Sequence, residues 1–275
     1  MSLLISPTEL SDLLHSDRPP VVLDVRWALD LPDGRVDYRQ GHLPGAVYVD
    51  LDTELAAAPA AELGRHPLPD VETLTTAARR WGIDDGDTVV VYDGASNQSA
   101  ARAWWLLRWA GLADVRILDG ALPAWRAAGL PLSTDEVTPT PGQVTLQTGS
   151  LGVLDVDEVA GFPASGVLLD ARASERFTGE VEPIDPKAGH IPGAVSAPNA
   201  GSLRPDGTFE SPATLRARFA ELGVAEGVPV AAYCGSGVTA AHLVAALSLA
   251  GFDARLYPGS FSQWSGLDRP VAVGA

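Results

Sequence analysis

GHLPGAV at 41–47 returns as GHIPGAV at 189–195, and no other feature limits the possible folds of this chain so tightly. Four further blocks repeat in the same order. VVLDVR (21–26) pairs with VLLDAR (167–172), and VVVYDG (89–94) with VAAYCG (230–235). AGL (110–112) pairs with AGF (250–252), and GALPAW (120–125) with GSFSQW (259–264). The offsets drift only from 148 down to 139. Five blocks in one order at slowly changing spacing mark two homologous halves, each of domain size. Between them PLSTDEVTPTPGQVTLQTGS (131–150) is rich in Pro, Thr, Ser and Gly and lacks helical periodicity, which is a linker composition. The expected division is a first domain over 1–132, a linker over 133–150 and a second domain over 151–275.

Within each half, short Val/Leu runs such as VVLDV, TVVVY and VRIL alternate with helix-like segments. ETLTTAARRWG (72–82) and QSAARAWWLLRWAG (98–111) are two of these, the second ending on a glycine suited to a helix C-cap. Strands alternating with helices predict a mainly parallel sheet covered on both faces. The fold class is therefore α/β, as two tandem doubly wound domains.

The formal net charge of −16 argues against general affinity for nucleic acid or anionic membrane. It also means that an anionic substrate needs a locally positive pocket. The amino terminus, MSLLISPTEL, has no basic region followed by an apolar core. The longest apolar-leaning stretch, Val238 to Phe252, is too short and too mixed to span a bilayer. A cytoplasmic protein is the expectation. One cysteine allows neither an internal disulfide nor a multi-thiolate zinc site. GASNQS and GSG lack the spacing of a nucleotide-binding fingerprint, so neither metal nor cofactor is expected.

That single cysteine, Cys234, stands where an apolar run, Val230-Ala231-Ala232, meets a glycine turn and a small-residue helix. Ligands of open α/β sheets sit beyond the carboxyl ends of strands. Gly235, Ser236 and Gly237 should make the turn, and Val238 and Thr239 should open the helix. The amides of such a loop form an anion-binding nest reinforced by the helix N-terminus, and the same field favours the nucleophilic, anionic form of a thiol. A free cysteine often serves only as a small buried hydrophobe, but that role needs no loop built for close backbone approach. The first half has Asp93 at the matching position, in DGASNQSAAR. A carboxylate is no soft nucleophile and repels anions, so that half reads as a degenerate scaffold.

The paired DxR…GH(L/I)PGA blocks, the CGSGVTA loop and the closing GSFSQW resemble a two-domain rhodanese, a thiosulfate or 3-mercaptopyruvate sulfurtransferase, over nearly the whole chain. The resemblance implies rhodanese-like domains and a Cys234 that accepts sulfane sulfur as a persulfide cradled by the amides of Gly235 to Thr239. The sulfur then passes to cyanide, a small thiol or a protein thiol such as that of thioredoxin. Arg176 in ERF matches the family arginine that grips the donor's anionic end, a task suited to a planar donor fork. Arg172 recurs as Arg26 in the half without cysteine, which favours pairing with an internal carboxylate over chemistry. His190 and His42 likewise recur and read as turn-stabilising. Thiosulfate-preferring members follow the cysteine with Arg and Lys, whereas Gly235 and Ser236 stand here, as in mercaptopyruvate-type enzymes. Those enzymes often carry a second arginine before GHIPGA; EVEPIDPK lacks one and offers Lys187 as a weak substitute. Donor preference stays open. Family analogy also has Asp52 and His66 relay a proton to Ser236. A cysteine phosphatase is excluded, because the sixth residue after Cys234 is Ala240 and no arginine occurs before Arg255. The alternative is a persulfide carrier or redox-sensing module acting on a protein partner.

Overall fold

The computed structural model describes residues 2–274. The chain forms two compact units. The first comprises Met1–Ala57, Pro69–Leu151 and Pro205–Phe209; the second comprises Ala58–Leu68, Gly152–Arg204 and Glu210–Ala275.

In the first unit, β1 (Leu4–Ile5), β2 (Val21–Asp24), β3 (Val47–Tyr48), β4 (Val89–Tyr92) and β5 (Val115–Leu118) form one sheet in the order β1-β5-β4-β2-β3. Every pairing is parallel, with Val21 beside Val89 and Val91 beside Ile117. The predicted VVLDV, TVVVY and VRIL runs are β2, β4 and β5. β-Branched residues suit this position because both faces of the sheet are covered. Val90 and Tyr92 of β4 enter a core with Val22, Leu43 and Trp125. Val89 and Val91, pointing the other way, are equally buried. Each such side chain contributes roughly 1.5–3 kcal/mol by leaving water. The two predicted helices are Val71–Arg80 and Gln98–Trp109, and Gly111 just beyond the second takes φ +95°. Trp105 of that helix is fully buried and stacks on Trp109.

The segment 133–150 has neither helix nor strand, apart from a bridge between Ser133 and His42. It is nonetheless fixed to the first unit: Val144 and Leu146 are buried, and the Val144 N–H donates to the Ile83 carbonyl at 3.2 Å.

In the second unit, β6 (Val167–Asp170), β7 (Val195–Ser196), β8 (Val230–Tyr233) and β9 (Ala254–Leu256) run in the order β7-β6-β8-β9, again all parallel. A parallel bridge from Val153 to Leu256 stands beside β9 where the first unit has β1 beside β5. Leu168, Ala231 and Tyr233 pack with Ile191, Phe261 and Trp264. No helix among the described residues is long and apolar enough to cross a membrane.

The repeated sequence blocks turn out to be structural locks. Arg26 hydrogen-bonds the buried Asp24 and the Gly41 carbonyl; Arg172 does the same with Asp170 and the Gly189 carbonyl. Tyr92 receives the Leu43 N–H, and Tyr233 the Ile191 N–H, each at 3.1 Å. His42 bonds the Tyr38 carbonyl and stacks on that ring at 3.9 Å; His190 bonds the Phe177 carbonyl and stacks at 3.7 Å. These are polar groups that fold only because each finds its partner.

Candidate active site

Cys234 directly follows β8, at the carboxyl edge of the second sheet. Its backbone is held by the GSFSQW block: the Cys234 N–H donates to Ser260 Oγ at 3.1 Å, and the Cys234 carbonyl accepts the Phe261 N–H at 2.9 Å. The Ser262 N–H reaches the Gly235 carbonyl at 2.9 Å. Gly237 adopts φ +83° and N-caps the helix Val238–Leu249. A side chain there would meet the Pro258 carbonyl oxygen at 2.4 Å, so the position demands glycine for conformation and for space. The turn aims the Gly237 N–H at Cys234 Sγ, 3.1 Å away. The thiol is 2% exposed, while Ser236 and Thr239 are half-buried. Gly235 has no positive φ, so backbone angle does not explain the glycine there. Its lack of a side chain leaves room for something else: a Cβ there would lie 2.8 Å from Arg65 Nη2 and 3.5 Å from Arg176 Nη1.

Arg176, in the short helix Ser174–Thr178, donates to Glu182 at 2.7 Å and to Asp185 at 3.0 Å. Both carboxylates are almost wholly buried. Burial pushes the Glu182 pKa up, but the Arg176 hydrogen bond and the N–H groups of Asp185 and Ile184 outweigh it and hold the group below the usual carboxylate range. Arg172 is buried in its pair with Asp170, donates to Glu182 at 3.4 Å, and lies over the Phe261 ring at 3.9 Å. It braces the floor of the site. Lys187 pairs with Asp268 and donates to the Arg269 carbonyl at 3.1 Å.

His66 meets Ser236: its Nδ1 lies 2.8 Å from the hydroxyl. The residue comes from the segment Ala58–Leu68, which by its contacts is part of the second unit. Gly64 (φ +91°) passes within 2.7 Å, measured to a built Cβ, of the Gly259 carbonyl, and the Arg65 N–H donates to Ser262 Oγ at 3.1 Å. Gln263 holds the Glu62 carbonyl at 2.7 Å. The segment thus brings Arg65 and His66 to the loop as a pair. Asp52 lies in the first unit, where the Trp27 indole donates to it at 3.1 Å.

Arg65 is the site residue that sequence reasoning missed. Its guanidinium pairs with Asp185, the same carboxylate that binds Arg176. The available signal was its place in RHPLP beside His66.

The geometry offers a sulfur in an amide turn, two guanidiniums beside the adjoining Gly235, and an imidazole–hydroxyl pair at Ser236. Comparison with known proteins points the same way. The model for the rhodanese-like domain matches twice, over residues 6–128 and 155–267. A Mycobacterium tuberculosis chain provisionally named thiosulfate sulfurtransferase SseB is 49% identical over 98% of this chain and 97% of its own. Human 3-mercaptopyruvate sulfurtransferase is 34% identical over 98% of this chain and 94% of its own. Among solved structures, Escherichia coli SseA, described as a 3-mercaptopyruvate sulfotransferase, aligns with a TM-score of 0.83 at 30% identity, covering 95% of this chain and 99% of the other.

Proposed function

The chain belongs to the family of rhodanese-like domains, and from that premise we propose that it is a sulfurtransferase working through a Cys234 persulfide. The supporting observation is the Cys234 loop, in which sulfur, amide turn and guanidiniums converge. In the first half-reaction the Cys234 thiolate attacks the donor sulfur. With 3-mercaptopyruvate an S–S bond forms, the C–S bond breaks, and its electron pair leaves as the enolate of pyruvate, which takes up a proton. With thiosulfate the sulfur–sulfur bond breaks and sulfite departs. In the second half-reaction cyanide or a thiolate attacks the outer sulfur and returns Cys234 as thiolate.

Arg176 binds the anionic end of the donor through its fork. The Gly237 N–H and the turn from Gly235 to Thr239 hold the negative persulfide. His66, on Ser236, is positioned to steer the proton that quenches the enolate. The neutral Gly235-Ser236 pair leans the donor preference to 3-mercaptopyruvate. The acceptor is a thiol or cyanide; a protein thiol of the thioredoxin kind fits the same chemistry. A lone reduced thiol suits the cytoplasm.

Incubation with either donor plus cyanide should release thiocyanate, and intact mass should show about 32 Da added at Cys234, the mass of one sulfur. A protein that loads one sulfur and then stops is a carrier, and one that never gains the adduct refutes the reading.

A further inference from the structure

We propose that the first unit holds a binding site of its own, for a short zwitterionic peptide, in the cavity between the open edge of its sheet and the segment 134–141. The cavity has a volume of about 960 Å³, and every residue lining it belongs to the first unit. Its walls are β3, Arg35 and Arg39 of the helix Arg35–Gln40, Arg80, and the segment 134–141. No sulfur lines it, so the proposal is independent of the chemistry at Cys234.

The backbone makes the opening. β3 ends the sheet, with β2 on one side and no strand on the other. The Val49 N–H turns inward to the Asp24 carbonyl at 2.9 Å. Peptide groups of successive residues in a strand point to opposite sides, so the Tyr48 N–H and C=O face away from β2, toward the cavity. The segment 134–141 runs along this edge without pairing to it. It is fastened at one end by two hydrogen bonds between Ser133 and His42, at 2.8 and 3.0 Å, and at the other by the Gly142 N–H on the Arg79 carbonyl at 2.8 Å. Between those points no main-chain group bonds another part of the backbone. An unpaired edge beside an unpaired segment is the arrangement into which an extended peptide adds as a further strand.

The charges select the occupant. Arg35 pairs with Asp33 and Asp50, and Arg80 with Glu54. Among the described residues Arg39 has no ion pair, and neither have Asp135 and Glu136 of the segment. Burial, Asp24 and, less strongly, Glu136 push the Tyr38 phenol up to about 12 against the pull of Arg26, so this wall is neutral at pH 7. One lone guanidinium and two lone carboxylates thus border the same space. A simple anion is repelled by the segment and a simple cation by Arg39, whereas a ligand carrying a carboxylate and an ammonium suits both. A single amino acid would leave most of the volume empty and has no peptide bond to offer Tyr48. A short peptide with free ends meets all three requirements.

Trialanine with free ends is the probe, titrated into the full-length protein and followed by amide NMR. It should bind with a Kd on the order of 1 mM and move the Tyr48 amide signal. Acetylating its amino end or amidating its carboxyl end should each weaken binding about fivefold, and methylating both peptide nitrogens should weaken it by a similar factor. Arg39→Gln should weaken trialanine equally and leave trialaninamide unaffected. Asp135→Asn combined with Glu136→Gln should weaken trialanine and leave the acetylated peptide unaffected. All three side chains are exposed, so these changes spare the core, and the modified peptides test the wild-type protein in any case. A Tyr48 signal that stays fixed up to about 20 mM trialanine overturns the proposal. Equal binding of free and blocked peptides, or full binding after N-methylation, does the same. Inorganic phosphate moving Tyr48 at a lower concentration than trialanine would make the cavity an anion site and defeat the peptide assignment.

Discussion

The two units close the same turn around opposite chemistry. In the first, Asp93 follows β4 as Cys234 follows β8, and the Asp93 carbonyl accepts the Leu122 N–H at 3.1 Å where the Cys234 carbonyl accepts that of Phe261. The Asp93 carboxylate fills its own loop, accepting N–H groups from Ala95 and Asn97 at 2.9 Å and from Ser99 at 3.2 Å, with the Ser99 hydroxyl at 3.0 Å. Cys234 Sγ takes the Gly237 N–H. One loop is a nest with its anion built in; the other has a nucleophile in that place. The first unit thus displays, in permanent form, the charge that a persulfide would bring to the second. The surroundings are inverted as well. The ring stacked on the turn histidine sets the register, Tyr38 on His42 matching Phe177 on His190. The residue before it is Asp37 in one unit and Arg176 in the other.

The largest expected effect follows from that inversion. Cys234→Ser should lower thiocyanate production at least about 1,000-fold with the far-UV spectrum unchanged. Adding Asp93→Cys to that variant should restore nothing, because the transplanted thiol would have Asp37 where Arg176 is needed. Turnover by the double variant, measured with either donor, would show that the turn alone makes the catalyst and that the arginines are dispensable.

The same comparison explains what sequence could reveal. The repeated blocks were legible because each encodes a local lock, such as Arg26 on Asp24 or Tyr92 on the Leu43 amide, and a lock constrains residue type wherever it recurs. The strands were legible because covering both faces selects Val and Leu without alternation. Gly235 and Gly237 looked equivalent, yet one takes a positive φ and the other makes room for arginine, a distinction set by residues remote in the chain. Arg65 is remote in just this way. Nothing near Cys234 in sequence announces it, and RHPLP drew notice only for its histidine. Val144 and Leu146 anchor a segment that composition presented as a free spacer, since two apolar residues are too few to register as a pattern.

If Asp93 is a structural anion, removing it should cost stability and not chemistry. Asp93→Ala leaves several buried N–H groups without an acceptor, and urea denaturation should record a loss of about 3 kcal/mol, with Asp93→Asn losing less. Thiocyanate production per folded molecule should be unchanged. The mirror experiment, Arg176→Ala, should raise donor KM by about tenfold or more. Loss of stability without a KM change there would make Arg176 another structural lock, a partner for Glu182 alone.

The smallest effect concerns the helix behind each loop. His242 in the helix Val238–Leu249 is wholly buried, with Nδ1 2.8 Å from Asn199 Oδ1; the matching helix Gln98–Trp109 places the equally buried Arg102 at that point in the first unit. Burial lowers its pKa from 6.5 to about 3. The folded protein therefore holds this imidazole neutral, whereas the unfolded chain protonates it below about pH 6.5. Unfolded molecules bind the extra proton between those two values, so stability falls as pH drops through that window and is unaffected above it. The slope should be about 1 kcal/mol per pH unit. Urea midpoints compared at pH 7, 6 and 5, a range above most carboxylate titration, should show the decline in wild type. His242→Ala should be less stable at pH 7 through the cavity it leaves yet lose most of the slope. Equal slopes in the two proteins would assign the acid sensitivity to other groups and remove this difference between the units.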